Sequence, residues 1–294
     1  MSDSVLPSAR VSGPRPKLDP RCNLARPDLV EIGLAGSVAA ARYVQAAPMR
    51  CIAARTPMRA SADAASTAVS ELLFGEAFDV FDISDGWALG RCPDDRYLGW
   101  VEATALAEPP QQKLPEHRIT ARIAPVFSAP DIKSPVLMEL PFGARVCGRP
   151  AQNFLPLAEG GFVHKRHLAP VGHDPVPVAR LFLGAPYLWG GRTPLGVDCS
   201  GLVQAVSAAL GFPIPRDSDQ QRDGLAAAAV AFEKREASDL IYFPGHVGML
   251  SGRDTLIHAN AHWMATVEEP LADVIARLRA SGVAEPVLGV RQIY

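Results

Sequence analysis

Three residues of this 294-residue chain have the types and setting for nucleophilic acyl chemistry. Cys199 stands in Val197-Asp198-Cys199-Ser200-Gly201-Leu202-Val203, and two histidines follow in His246-Val247-Gly248 and Ile257-His258-Ala259. A thiol attacks as thiolate, and a helix start and a neighbouring imidazole both favour that form, so the Cys199 pKa is expected below the ordinary thiol value. His246 is the expected base, carrying the proton between sulfur and leaving group. His258 is expected to bond the far nitrogen of His246 and fix its tautomer, as the third member of a triad does.

The elements that must position these groups can be read around them. Leu202, Val203, Val206 and Leu210 lie at helical spacing, with Gly211 as C-cap, so a helix opens at Asp198-Cys199-Ser200. Leu240 to Phe243, His246 to Leu250 and Thr255 to Ala259 read as a three-stranded antiparallel meander. A turn at Ser251-Gly252-Arg253 would pair Leu250 with Asp254 and set His246 opposite His258. A two-residue turn at Gly252-Arg253 would put them on opposite faces, so the triad requires an odd-length turn or a bulge. A last helix is expected over Leu271 to Ala280 and an edge strand over Val287 to Ile293. Helix plus antiparallel sheet makes this part α+β.

Upstream, an internal repeat sets the architecture. Ala54-Arg55-Thr56-Pro57 is matched by Ala121-Arg122-Ile123-Ala124-Pro125, Glu71-Leu72-Leu73-Phe74-Gly75 by Glu139-Leu140-Pro141-Phe142-Gly143, and Gly99-Trp100-Val101 with Leu106 by Gly161-Phe162-Val163 with Leu168. Short alternating runs bounded by Gly, Pro, Asp and Asn predict two small β-barrels. The expected divisions are an arm with a short helix from Asp28 (1–50), a first barrel (51–108), a linker at Pro109-Pro110 and Gln111-Gln112-Lys113, a second barrel (115–170) and the α+β domain (171–294).

Charge and composition exclude several classes. Lys and Arg number 29 against 31 Asp and Glu, a net charge of −2, too balanced for nucleic-acid binding. No apolar run reaches the ~20 residues of a membrane span, and the start MSDSVLPSAR lacks a secretory pattern, so a cytoplasmic location is expected. Five widely spaced cysteines allow no complete disulfide framework.

Taken in order, Tyr187-Leu188-Trp189-Gly190-Gly191, the Asp198-Cys199-Ser200-Gly201-Leu202 element, Pro215-Arg216-Asp217-Ser218 with Gln220, Asp239-Leu240, His246-Val247-Gly248 and Ile257-His258-Ala259 resemble the motifs of NlpC-type papain-like cell-wall cysteine peptidases, over about the last 120 residues. The barrels resemble bacterial SH3-like modules. Ser238-Asp239-Leu240 departs from the usual Gly-Asp-Leu and removes a turn glycine. The combination resembles the γ-D-glutamyl-L-diamino acid endopeptidases of murein peptide recycling, the dipeptidyl-peptidase VI subgroup. That resemblance implies two SH3-like barrels followed by an α+β papain-like cysteine peptidase domain, with a murein tri- or tetrapeptide as substrate and no cofactor. It further implies that Tyr187 lines the site, that the Cys199 N–H serves the oxyanion, and that Asp198, Ser200, Asp217 and Ser218 surround the D-Glu and the free amine. Tyr97 and Glu76, or Glu71, are the barrel residues expected to close the cleft.

Blander readings stand beside these. Cys199 with the histidines could hold zinc, although structural zinc favours closer ligand pairs. Trp189 and Trp100 are expected as core aromatics first, Asp198 and Ser218 could be only helix caps, and His164-Lys165-Arg166-His167 reads as a solvated strand end. Rival functions are an amidase or acyltransferase on the same Cys-His-His core, or a wall-peptide binding module without catalysis.

Overall fold

A computed structural model describes residues 17–111, 114–225 and 228–293. Residues 1–16 of the expected arm and Gln112-Lys113 of the linker lie outside the described residues.

The first β unit is a seven-stranded antiparallel sheet. Its strands are β1 (Ala47–Cys51), β2 (Arg55–Arg59), β3 (Ala68–Leu73), β4 (Ala77–Ser84), β5 (Trp87–Arg91), β6 (Leu98–Glu102) and β7 (Leu106–Ala107), in the order β3-β2-β6-β5-β4-β1-β7. It closes over Cys51, Met58, Leu72, Phe78 and Val101. β1 brings the start of this unit forward to Ala47, four residues before the expected boundary.

The second unit has β8 (Glu116–Arg118), β9 (Ile123–Phe127), β10 (Val136–Pro141), β11 (Arg145–Cys147), β12 (Phe154–Pro156) and β13 (Phe162–His164), as a four-stranded sheet β10-β9-β13-β12 and a separate β8-β11 ladder.

The sequence repeat is also a repeat of register. Pro57 pairs with Glu71 as Pro125 pairs with Glu139, and each ladder carries an irregularity one residue past its buried apolar position, at Met58/Arg59 and at Val126/Phe127. The repeated Phe-Gly couples each unit to the next. Gly75 and Gly143 turn the chain at φ +76° and +92°, a region that favours glycine. Phe74 thereby enters the core of the second unit beside Ile119, Leu140 and Val146. Phe142 enters the C-terminal core and meets Phe182 edge to face at 5.5 Å. A side chain at Gly75 would run into the Arg145 carbonyl, so the two units touch backbone to backbone there.

The C-terminal part holds α1 (Pro175–Arg180), α2 (Cys199–Ala209), α3 (Ser218–Gly224) and α4 (Leu271–Ala280) around a six-stranded antiparallel sheet. Its strands are β14 (Ala229–Val230), β15 (Leu240–Phe243), β16 (His246–Gly252), β17 (Thr255–Asn260), β18 (Ala265–Pro270) and β19 (Gly289–Arg291), ordered β14-β19-β15-β16-β17-β18. Leu202, Val203 and Val206 of α2 pack on Val247, Met249, Ile257 and Ala259. Each of these side chains except Ala259 contributes about 1.5–3 kcal/mol by leaving water. α4 covers the other face through Leu271 and Val274. The meander and both predicted helices are present. β19 is interior rather than an edge, because β14 pairs outside it.

The segment from Asp28 is not helical. Val30–Glu31 pairs in parallel with Tyr43–Val44 around a single 3₁₀ turn, and Gly36 adopts φ +87°. Of the spaced apolar residues Leu29, Ile32, Val38 and Tyr43 that suggest a helix, only Leu29 is buried, packing with Leu24 on Phe81 and Leu89 of the first sheet, while Ile32 and Tyr43 are exposed. The arm is thus strapped to the outside of that unit.

Candidate active site

Asp198 builds the start of α2. Its carboxylate accepts from Gly201 N at 2.7 Å and Gly190 N at 2.8 Å, fixing the helix entry and the preceding Gly190-Gly191 turn together. Cys199 is the first residue of this helix and is 6% exposed. The backbone N–H groups of Val247 and Ser200 reach its sulfur. His246 begins β16 after the Pro244-Gly245 turn, and its Nε2 lies 2.7 Å from His258 Nδ1. Nδ1 of His246 is therefore the ring nitrogen left to serve the sulfur.

The two histidines share a face because of a bulge. Gly252 pairs with Thr255 across a two-residue turn, Leu250 then pairs with Leu256, and Ser251 is the extra residue. Carried on, this register sets Gly248 rather than His246 across from His258, so the histidines meet on a diagonal, within reach of long side chains. The required irregularity is present; the expected Leu250–Asp254 pair is not.

The expected depression of the thiol pKa is reversed. Burial, then the adjacent Asp198 carboxylate, pushes Cys199 up to about 11, outweighing the backbone donors and Arg216. Burial, then His258, brings His246 down to about 3. Both directions favour the uncharged forms, thiol and neutral imidazole, in the free site. Tyr187 is half-buried, and burial followed by Cys199 and Asp198 pushes its phenol up to about 12, so it remains an O–H donor beside the sulfur.

A cavity of about 340 Å³ opens at Cys199 and runs to the first β unit, with Tyr97, Trp189, Ser200, Asp217, Ser218 and Arg21 among its lining. Tyr97 Oη donates to Asp217 Oδ2 at 3.0 Å, so the barrel tyrosine expected at the cleft meets a carboxylate of the C-terminal part instead of Glu76. The arm adds an unexpected member. Arg21 Nη1 donates to the same Asp217 oxygen at 2.8 Å, and the guanidinium also meets Asp219 and Asp19. Trp189 is 63% exposed and forms cleft wall, not core.

Glu76 and Glu71 do not reach the cleft. The buried Arg192 guanidinium takes both Glu76 oxygens, at 2.9 and 3.0 Å, and the Glu71 carbonyl, while Glu71 Oε2 accepts from Arg192 N at 2.8 Å. A guanidinium without water needs such acceptors, and these two carboxylates clamp the C-terminal part to the first sheet. Asp198 and Ser200 are held by Arg216, 1% exposed, with bonds of 3.0 and 2.6 Å to Asp198 and 2.9 Å to Ser200 Oγ; its Nε donates to Ser70 of the first sheet. Asp198 thus organises the helix start more than it offers free valence to a ligand. Arg192 and Arg21 have no local signature, since their partners come from distant segments; Arg216 stands in the Pro215-Arg216-Asp217-Ser218 motif, but nothing local shows that it serves Asp198 and Ser200. Among the described residues no group of three His, Cys, Asp or Glu side chains could hold a metal ion.

Known proteins resemble both ends of this chain. The model of the NlpC/P60 family matches residues 184–290, spanning α2 and both histidines, and that of the bacterial dipeptidyl-peptidase SH3 domain matches residues 58–106. The chain carries an NlpC/P60 domain. A protein named dipeptidyl-peptidase 6 from Lysinibacillus sphaericus is 27% identical over 236 residues, 71% of this chain and 86% of that relative. A γ-D-glutamyl-L-lysine dipeptidyl-peptidase from Bacillus subtilis is 33% identical over 112 residues, 33% of this chain and 37% of that relative. The crystal structure of an NlpC/P60 family protein from Bacillus cereus superposes with a TM-score of 0.71 at 20% identity, over 84% of this chain and 99% of the other. That likeness is one of fold. Within the NlpC/P60 domain, Ser238 adopts φ +78° at the position where the resemblance calls for glycine, its N–H bonded to the Leu250 carbonyl at 2.7 Å.

Proposed function

We propose that this chain is a cysteine endopeptidase hydrolysing the γ-D-glutamyl to L-diamino acid bond of short murein peptides with a free N-terminal L-Ala, in cytoplasmic recycling of cell-wall peptides. The second β unit is read as another SH3-like barrel. The observation that carries the proposal is one cavity with Cys199 at one end, backed by the 2.7 Å His246–His258 contact, and the Tyr97–Asp217 pair at the other. A carboxylate closing a cleft selects a substrate that ends in an ammonium group. The relatives named as dipeptidyl-peptidases support the same reading.

Chemistry follows from the geometry. Cys199 Sγ adds to the γ-carbonyl as its proton passes to His246. The oxyanion is received by the Cys199 N–H at the helix start and by the Tyr187 hydroxyl. Collapse breaks the C–N bond, the proton goes from His246 to the leaving amine, and water then hydrolyses the thioester with His246 as base. The test is incubation with L-Ala-γ-D-Glu-meso-diaminopimelate, the L-lysine analogue and their N-acetylated forms, following the free diamino acid. Release from the free-amine peptides, abolished in Cys199→Ala, supports the proposal; equal hydrolysis of blocked peptides, or an active Cys199→Ala protein, overturns it.

A further inference from the structure

The relay does not end at His258. Its Nε2 lies 2.8 Å from Glu269 Oε1, on β18, and 3.1 Å from Asn260 Nδ2, on β17. These neighbours demand opposite proton positions. Asn260 Nδ2 is a donor, its Oδ1 being occupied by Trp263 N at 2.9 Å, so it calls for a bare Nε2. A carboxylate only accepts, so Glu269 calls for a proton on Nε2.

The choice propagates to the nucleophile. With the proton on His258 Nε2, Nδ1 is the acceptor, His246 Nε2 is the donor, and His246 Nδ1 is bare and able to take the thiol proton. With the proton on His258 Nδ1, His246 must accept through Nε2 and presents Nδ1–H, which cannot act as base. Geometry favours Glu269: its contact is shorter and charge-assisted, and the same oxygen accepts from Arg277 Nη2 at 2.6 Å and Trp263 Nε1 at 3.2 Å. Arg277 and His258 keep the carboxyl ionised, below its usual range, against the burial that would raise it.

We infer that Glu269 is the positioning residue of this site, overriding Asn260 for the Nε2 of His258 and so setting both histidines in the tautomer that leaves His246 Nδ1 free for Cys199. The inference rests on the peptidase reading for its catalytic consequence only; the proton positions can be measured without turnover.

The experiment is ¹⁵N NMR of the histidine rings, with steady-state kinetics, on the full chain as wild type, Glu269→Ala and Glu269→Ala with Asn260→Asp. The wild type should show both His246 and His258 protonated at Nε2. Glu269→Ala should move the His258 proton to Nδ1 and lower kcat about 10- to 100-fold, the usual range for losing a supporting partner. Asn260→Asp returns a carboxylate to Nε2 while still accepting from Trp263 N, and should restore the tautomer and at least tenfold of the lost kcat. A wild-type His258 protonated at Nδ1 overturns the inference, whether or not the variants fold. So does a Glu269→Ala protein with unchanged tautomers and kcat, or a folded double variant that recovers neither. Wild-type protein with the stated tautomers but no peptide hydrolysis would leave the positioning intact and remove the proposed activity.

Discussion

Replacing Arg216 with methionine removes a charge from the most enclosed polar cluster near the site. Its guanidinium gives Asp198 two bonds, of 3.0 and 2.6 Å, and serves Ser200 and Ser70 as well. Methionine fills much of the same volume, so the loss is mainly electrostatic: Asp198, 5% exposed, is left charged with two N–H donors and no counter-ion. Breaking one side of a buried ion pair costs roughly 3–5 kcal/mol. At about 2–4 °C per kcal/mol for a unit of this size, thermal unfolding should fall by roughly 6–20 °C. The second half of the test removes the stranded charge. Asp198→Asn retains an oxygen for Gly201 N, so adding it to Arg216→Met should recover at least half of the lost stability, a coupling measured by a double-mutant cycle. An Arg216→Met protein within about 0.5 kcal/mol of wild type, or a double variant less stable than Arg216→Met, would refute the reasoning.

Other outcomes follow from the same geometry. His246 has a folded-state pKa of about 3, below its unfolded value, so its contribution is fully present above about pH 6.5 and is lost as pH falls toward 3. Urea titrations should show the wild type losing up to about 1.4 kcal/mol per pH unit more than His246→Asn between pH 6 and 4; parallel curves would contradict it. Arg21→Met removes the cation that competes with a substrate ammonium for Asp217 while leaving the Tyr97 bond in place; the pair is partly exposed and worth at most about 1 kcal/mol, so KM for free-amine peptides should fall up to about fivefold with kcat unchanged, and a rise in KM would contradict it. Ser238→Gly relieves the left-handed backbone and should stabilise the fold by about 0.5–1 kcal/mol in chemical denaturation; a loss of stability would contradict it.

Local signals carried much of this molecule. The α2 spacing, the apolar runs of the meander and the α4 periodicity each arise within one segment, so one segment suffices to read them. Two short helices carry local signals: Asp174 caps α1 with Pro175 in its first turn, and a capping box of Asp217 and Gln220 opens α3, its cap one residue before the Ser218 that the sequence offers as a cap. β18, Ala-Thr-Val-Glu-Glu-Pro, escaped because two charges and a proline mask its alternation; one of those charges is Glu269. The arm misled because its burial is against another domain. Glu76 was assigned to the cleft because nothing in sequence reveals that Arg192 claims it. The raised thiol pKa is hidden from the sequence for a similar reason: burial and the Asp198 carboxylate act through packing, and they outweigh the helix start.

Packing also changes how the role of the first β unit should be tested. Deleting residues 1–110 would strand Arg192 without Glu76, withdraw Phe74 from the second core and remove Tyr97, so the truncated chain would report misfolding rather than selectivity. Tyr97→Phe is the cleaner perturbation. It keeps the ring and deletes one bond to Asp217, and should raise KM for free-amine peptides several-fold while leaving blocked peptides unaffected.

Every proposed step depends on Cys199 acting as a nucleophile served by His246. Rapid acid quench of the wild-type protein with L-Ala-γ-D-Glu-meso-diaminopimelate, followed by peptide mass spectrometry, tests it most directly. An L-Ala-γ-D-Glu acyl group on the peptide containing Cys199, forming before free dipeptide and absent in His246→Ala, is the predicted result. Dipeptide release with no acyl group on that cysteine, or release that survives Cys199→Ala, would contradict it.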